Sequence, residues 1–69
     1  MSDHVYKTIE LTGSSATGTD DAVKKALALA AKTVRNMQWF TVQEVRGQIA
    51  AGKVAYWQVT IKVGFTMEE

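Results

Sequence analysis

Six side chains in this sequence share a chemical theme: Tyr6, Trp39, Arg46, Gln48, Tyr56 and Gln58. The indole and the phenols are flat plates with an apolar face, the guanidinium is a planar fork for oxyanions, and each carboxamide sets a donor beside an acceptor. Together they suit a planar heteroaromatic ligand with an anionic tail. Its ring would stack on the plate, the amides would pair with its polar edge, and arginine would hold phosphate. Trp, Tyr and Arg are equally the residue types most enriched in subunit contacts. Composition alone leans towards such an interface and leaves the ligand open.

Whether the six meet depends on the elements that carry them. "VYKTIELTG" alternates, with Val5, Lys7, Ile9 and Leu11 on one side and Tyr6, Thr8, Glu10 and Thr12 on the other, which predicts a strand with one buried face. "GSSATGTDD" reads as a loop ending at a helix start, capped by Thr19 or Ser15. Asp20 and Asp21 then fall in the first turn, where carboxylates complement the positive end of the helix dipole. Val23, Ala26, Leu27, Ala30, Val34 and Met37 recur at helical spacing, so the helix is expected to end near Asn36. The alanines in this stripe let it lie close to whatever it packs on.

From Trp39 the period is two. Phe40 and Val42 share one face, but Val45, Gly47 and Ile49 have the opposite parity. A β-bulge around Gln43 and Glu44 restores a single apolar face. Phe40, Val42, Val45 and Ile49 then look into the core, and Trp39, Thr41, Arg46 and Gln48 look away. "IAAGKVA" is a hairpin connection with Gly52 at its tip. The following "YWQVTIKVGF" sets Trp57, Val59, Ile61, Val63 and Phe65 on the core side, which makes Trp57 a buried packing residue, and turns Tyr56, Gln58, Thr60, Lys62 and Gly64 outward. The order strand, helix, strand, strand predicts an α+β fold in which one helix covers one face of a small antiparallel sheet.

The core pattern also predicts register. Val45, Gly47 and Ile49 fall opposite Val59, Trp57 and Ala55, so Arg46 faces Gln58, and through the bulge Trp39 comes near Gly64. Gly64 and Gln58 are six positions apart on one strand, which separates Trp39 from Gln58 by roughly 20 Å at about 3.3 Å per residue. A tricyclic ring about 10 Å long cannot touch both within one chain by that spacing. Any site that uses both is completed by a neighbouring copy.

Size points the same way. At 69 residues one domain spanning 1–69 is expected, and a core of this size rarely supplies more than about 3–5 kcal/mol. No cysteine is present to staple it, so self-association is expected. Apolar residues at 46% and charged residues at 22% are ordinary globular usage. No apolar run is long enough to span a membrane, and "MSDHVYK" lacks the features of a signal peptide, so a cytoplasmic protein is expected. A net charge of +1 with interspersed signs is a poor footprint for nucleic acid. His4 is the one histidine and no acidic cluster has ligand spacing, so no metal is expected. Ser14 and Ser15 have no identifiable base, and "GSSATG" lacks the lysine of a phosphate-binding loop. An enzyme is not expected.

"VYKTIELTGSS", "WFTVQEVRG" and "YWQVTIKVGF", in this order and spacing, resemble the dodecin family of small flavin-binding proteins, from about His4 to Glu68. The resemblance implies a three-stranded antiparallel sheet wrapped on one helix and assembled into a hollow homododecamer of cubic symmetry, with flavins held between subunits. It implies that Trp39 stacks on the isoalloxazine, two flavins lying face to face between two such tryptophans about a two-fold axis. It further implies that Gln58 hydrogen-bonds the ring edge, that Arg46 and Gln48 contact the ribityl and phosphate, and that Tyr6 is an additional contact. With both ring faces occupied, the arrangement suits storage and quenching of flavin rather than turnover. FMN is the expected ligand, with riboflavin or FAD as alternatives. Many members carry an arginine directly after the "GF" of the last strand for phosphate or coenzyme A; Thr66 stands there instead, which weakens the expectation of a coenzyme A site. A structural or interaction module whose aromatic face serves oligomerisation only is the alternative from another class.

Overall fold

A computed structural model describes residues 4–67. The chain runs β1 (Tyr6–Ser15), α1 (Thr19–Ala30), β2 (Met37–Ala50) and β3 (Lys53–Thr66). The strands form one antiparallel three-stranded sheet in the order β1-β3-β2. This is the expected α+β arrangement, with β3 in the centre because β1 pairs with it from one side and the hairpin partner β2 from the other.

The hairpin turns on Ala51 and Gly52, with φ of 52° and 74°. A two-residue I′-type connection requires both central residues in this left-handed region. Gly52 adopts it freely, whereas Ala51 does so against the steric preference of an L-residue. Asn36, with φ of 63°, makes the corresponding reversal before β2. Its carbonyl accepts a hydrogen bond from the Thr66 amide at 3.1 Å, tying the start of β2 to the end of β3.

Ala22, Val59, Ile61 and Val63 form the buried core, and Ile9, Leu11, Val23, Ala26, Leu27 and Met37 pack around it. The alanine-rich stripe allows the predicted close approach. A Cβ placed on Gly13 would lie 3.0 Å from the Ala22 carbonyl carbon and 3.1 Å from Ala26 Cβ, and would overlap the Ala22 carbonyl oxygen. Only glycine lets β1 and α1 meet at that separation.

Several expectations need correction. The helix ends at Ala30 and not near Asn36; Ala31 continues only as a C-cap, its amide donating to the Leu27 carbonyl at 2.9 Å while the Lys32 amide donates to the Leu29 carbonyl at 3.2 Å. Val34 and Met37 therefore kept helical spacing by accident of the turn that follows. The N-cap is Gly18, with no side-chain cap. Ser15 instead lies in β1, where its hydroxyl accepts from the Thr17 amide at 3.0 Å and donates to Asp21 Oδ2 at 2.6 Å. Gly13 to Ser15 thus belong to the strand and not to the loop. Ile49 pairs with Val54 rather than Ala55, because besides the shifts at Met37/Trp39 and Val42/Glu44 a third irregularity falls between Gln48 and Ile49.

The largest correction concerns burial. Phe40, Val42 and Val45 share the helix-side groove with Val23, Leu27 and Val59, yet Phe40, Val42, Val45 and Ile49 are all exposed. Trp57 is only partly buried; it faces Gly47, near which its ring comes within 3.8 Å of where a Cβ would stand. The chain is elongated, 54 × 21 × 15 Å, with a radius of gyration of 14.4 Å, against about 11 Å for a compact chain of this length.

Candidate functional site

Strand alternation places Tyr6 on the face opposite α1, because Ile9 and Leu11, of the other parity, pack on the core. The register sets Trp39 opposite Gly64 and Tyr6 opposite Thr66, so the two aromatics meet at one end of the sheet. Their ring centroids are 6.3 Å apart and tilted by 54°, within the range of attractive aromatic pairs. His4 adds an edge contact to Tyr6 at the same centroid separation, 6.3 Å.

Gly64 explains how the indole lies. A Cβ there would overlap the six-membered ring of Trp39, 2.6 Å from Cη2 and closer still to Cζ2 and Cε2. The ring is therefore laid across the glycine backbone, and any larger residue would lift it. Trp39 keeps 44% of its surface exposed and Tyr6 keeps 47%. One indole face rests on the sheet, and its surroundings leave a substantial apolar plate open.

The second cluster is polar. Ser14, Gln58 and Arg46 stand in one row across β1, β3 and β2. Arg46 Nε donates to Gln58 Oε1 at 2.8 Å, and Gln58 Nε2 donates to Ser14 Oγ at 3.4 Å. Glu44 Oε1 is 3.9 Å from Arg46 Nη1. Gln48 is exposed one row further on, opposite Tyr56. Since Nε is engaged by Gln58, the terminal guanidinium nitrogens are the ones left for an oxyanion, with Glu44 competing for one of them.

The structure thus brings the sequence candidates together in two groups, Tyr6 with Trp39 and Arg46 with Gln58. Between them lie the rows of Glu10, Lys62 and Thr41 and of Thr12, Thr60 and Glu44. Ser14, Glu44 and His4 were not recognised as members of these groups. Extending the alternation of β1 by one more residue past Gly13 would have found Ser14, and the bulge parity puts Glu44 on the outer face; nothing in the sequence marks His4.

Among the described residues Asp21 is the one titratable group with a clear displacement. Its carboxyl is held below the ordinary value of 3.8 by the Ser15 hydroxyl first and by hydrogen bonding to Lys25 next. Lys25 Nζ lies 3.0 Å away, one helical turn on. This pair stabilises the start of α1 and lies on the opposite side of the sheet from the aromatic face. Among the described residues no three His, Cys, Asp or Glu side chains gather as a metal site. No helix among them is long and apolar enough to cross a membrane.

Comparison with known proteins agrees with this architecture. The dodecin family model matches residues 5–68. The dodecin of Thermus thermophilus is 48% identical over 65 residues, covering 94% of each chain. Dodecin from Streptomyces coelicolor superimposes with a TM-score of 0.93 at 49% identity, over 100% of this chain and 99% of that one. A more distant relative, the calcium chelating antigen calcium dodecin of Mycobacterium tuberculosis, has a TM-score of 0.80 at 25% identity, over 93% and 91% of the two chains. The chain belongs to the dodecin family.

Proposed function

We propose that this protein binds flavin and sequesters it, without turning it over, at junctions between copies of the chain. The observation that carries the reading is the indole of Trp39, laid over Gly64 and 44% exposed on the face away from the helix. Stacking of a flat ring on such a plate is worth about 1–3 kcal/mol. The separation of Trp39 from the Arg46–Gln58 pair, roughly 20 Å along the sheet, requires that a neighbour supply the second group. A homododecamer with flavins paired about a two-fold axis meets that requirement.

In this arrangement Trp39 stacks on the isoalloxazine, Tyr6 flanks it, Gln58 pairs with the polar edge of the ring, and Arg46 and Gln48 hold the ribityl and phosphate. FMN is the ligand that uses all of these groups, with riboflavin or FAD as alternatives; coenzyme A remains the weakest expectation, with Thr66 in place of an arginine. With indole on one face of the ring and a second flavin on the other, no substrate can stack against it, and storage with protection from light is the role that fits. We place this store in the cytoplasm.

The test is to add riboflavin or FMN to ligand-free protein and follow flavin emission together with native mass. Most emission should be quenched by electron transfer from the stacked indole. Trp39→Ala should weaken binding by about 10- to 100-fold, as the loss of a stacking plate implies, and restore the emission. If emission is unchanged at saturating protein, the reading fails. If Trp39→Ala instead dissolves the assembly with or without flavin, the aromatic face serves oligomerisation alone. Steady-state oxidation of NADH or NADPH should be absent.

A further inference from the structure

Gln58 is flanked symmetrically in position but not in chemistry. Arg46 on β2 and Ser14 on β1 stand directly opposite it in the two ladders. Arginine has donors only, so the carboxamide atom that faces it must be the oxygen; the reverse orientation would set N–H against N–H. A serine hydroxyl can donate or accept, and here it accepts from Nε2 at 3.4 Å while Arg46 Nε donates to Oε1 at 2.8 Å. The carboxamide therefore has a direction, with oxygen towards β2 and nitrogen towards β1. A carboxamide carries two N–H donors and two lone pairs on oxygen. Each flank uses one, which leaves one donor and one acceptor side by side in a single plane.

We propose that Ser14 is a positioning residue, which together with Arg46 fixes the Gln58 carboxamide in one orientation, so that it reads an adjacent donor and acceptor on the ligand. The unsubstituted imide edge of a flavin, N–H beside C=O, has that pattern. A glutamine held in this way loses less rotamer freedom when the ligand arrives than one left free. The inference rests on the flavin reading and narrows it. The ligand is a planar ring with an intact imide edge, and its two imide carbonyls are not equivalent to the protein.

The experiment compares riboflavin with N3-methylriboflavin, which lacks the imide proton, as ligands of the full-length wild-type, Ser14→Ala and Ser14→Thr proteins. Ser14→Ala should weaken riboflavin by about three- to tenfold, the usual range for one hydrogen bond. N3-methylriboflavin should already bind more weakly to wild type and lose less than about twofold on the same change, since the edge that Gln58 reads is blocked. Ser14→Thr, which keeps the hydroxyl, should return riboflavin to within about twofold of wild type. Equal losses for both ligands, no loss for riboflavin, or no rescue by threonine overturns the role of Ser14. Wild-type protein that binds neither ligand overturns the flavin reading itself, and the two failures are distinct.

Discussion

β2 and β3 are both 14 residues long, both alternate, and pair with each other almost throughout. Their apolar rows nevertheless have different surroundings. Val59, Ile61 and Val63 of β3 are 0–1% exposed, whereas Phe40, Val42 and Val45 of β2 are 45–50% exposed. The difference is one of reach. A helix is about 10 Å across and strands lie about 4.8 Å apart, so one helix can roof two strands and not a third. α1 sits on β1 and β3. The row on β2 is left as the wall of an open apolar groove. The chain's surface of 5195 Å² exceeds by roughly 900 Å² what a compact monomer of 7.6 kDa presents. Alternation thus tells which face of a strand is apolar, but not whether anything within the chain covers it.

Under the assembly proposed above, the bare row on β2 is covered by other copies, and the largest effect should come from charging it. Val45→Asp removes an apolar contact at the interface and buries a carboxylate without a partner, which costs several kcal/mol per copy. Native mass should fall from about twelve subunits to one or a few at micromolar concentration, because so thin a core has little stability in reserve. Retention of the full assembly would show that the groove lies outside the interface, and the contrast between β2 and β3 would lose its meaning.

The fold was legible where one strong pattern constrained a weaker one. The unbroken alternation of β3 fixed the parity of β2 through the bulge, which placed Trp39 opposite Gly64 and Arg46 opposite Gln58 as observed. It failed where no residue marks an end. Nothing like glycine or proline follows Ala30 to mark the end of the helix there, so the stripe reads on through Val34 and Met37, and the first left-handed residue, Asn36, comes only six residues later, at the entry to β2. Ser15 suits a cap by residue type, but its bonds to the Thr17 amide and the Asp21 carboxylate show it organising the helix start from outside the helix. At the candidate site, alternation found Trp39, Tyr6, Arg46 and Gln58 on one face. Ser14 is not legible in the same way, because serines beside glycine suggest a loop, although β1 continues through them.

In the closed half, the counterpart of Val45→Asp is Gly13→Ala. Here the obstacle is the Ala22 carbonyl, which is backbone and cannot swing aside. Separating α1 from β1 by the width of a methyl group should cost about 1–3 kcal/mol, or roughly 5–20 °C in Tm for a chain of this size. The two variants should divide cleanly. Gly13→Ala should lower the thermal midpoint of the helix signal in far-ultraviolet circular dichroism even where flavin binding at low temperature is kept, while Val45→Asp should act first on mass. A Gly13→Ala protein with unchanged Tm would mean that the helix can slide on the sheet, so that the closed half is less constrained than its burial implies.

The smallest effect concerns the same closed half and is a matter of sign. The Asp21 carboxyl is depressed below 3.8 by Ser15 and Lys25, so the folded state favours its ionised form more than the unfolded chain does. Its contribution to stability is therefore complete above the unfolded value and is lost as pH falls through the lowered folded value. Asp21→Asn keeps an acceptor for Ser15 but removes the charge that Lys25 and the helix start favour. The variant should be slightly less stable than wild type at neutral pH, and the two unfolding curves should converge as the solution is acidified below the ordinary carboxylate range. Because Asp21 and Lys25 are both substantially exposed, added salt should narrow the neutral-pH difference. A gap that instead widened on acidification would mean that the Ser15–Asp21 bond holds better with the carboxyl protonated, and that the start of α1 is secured by hydrogen bonding alone and not by charge.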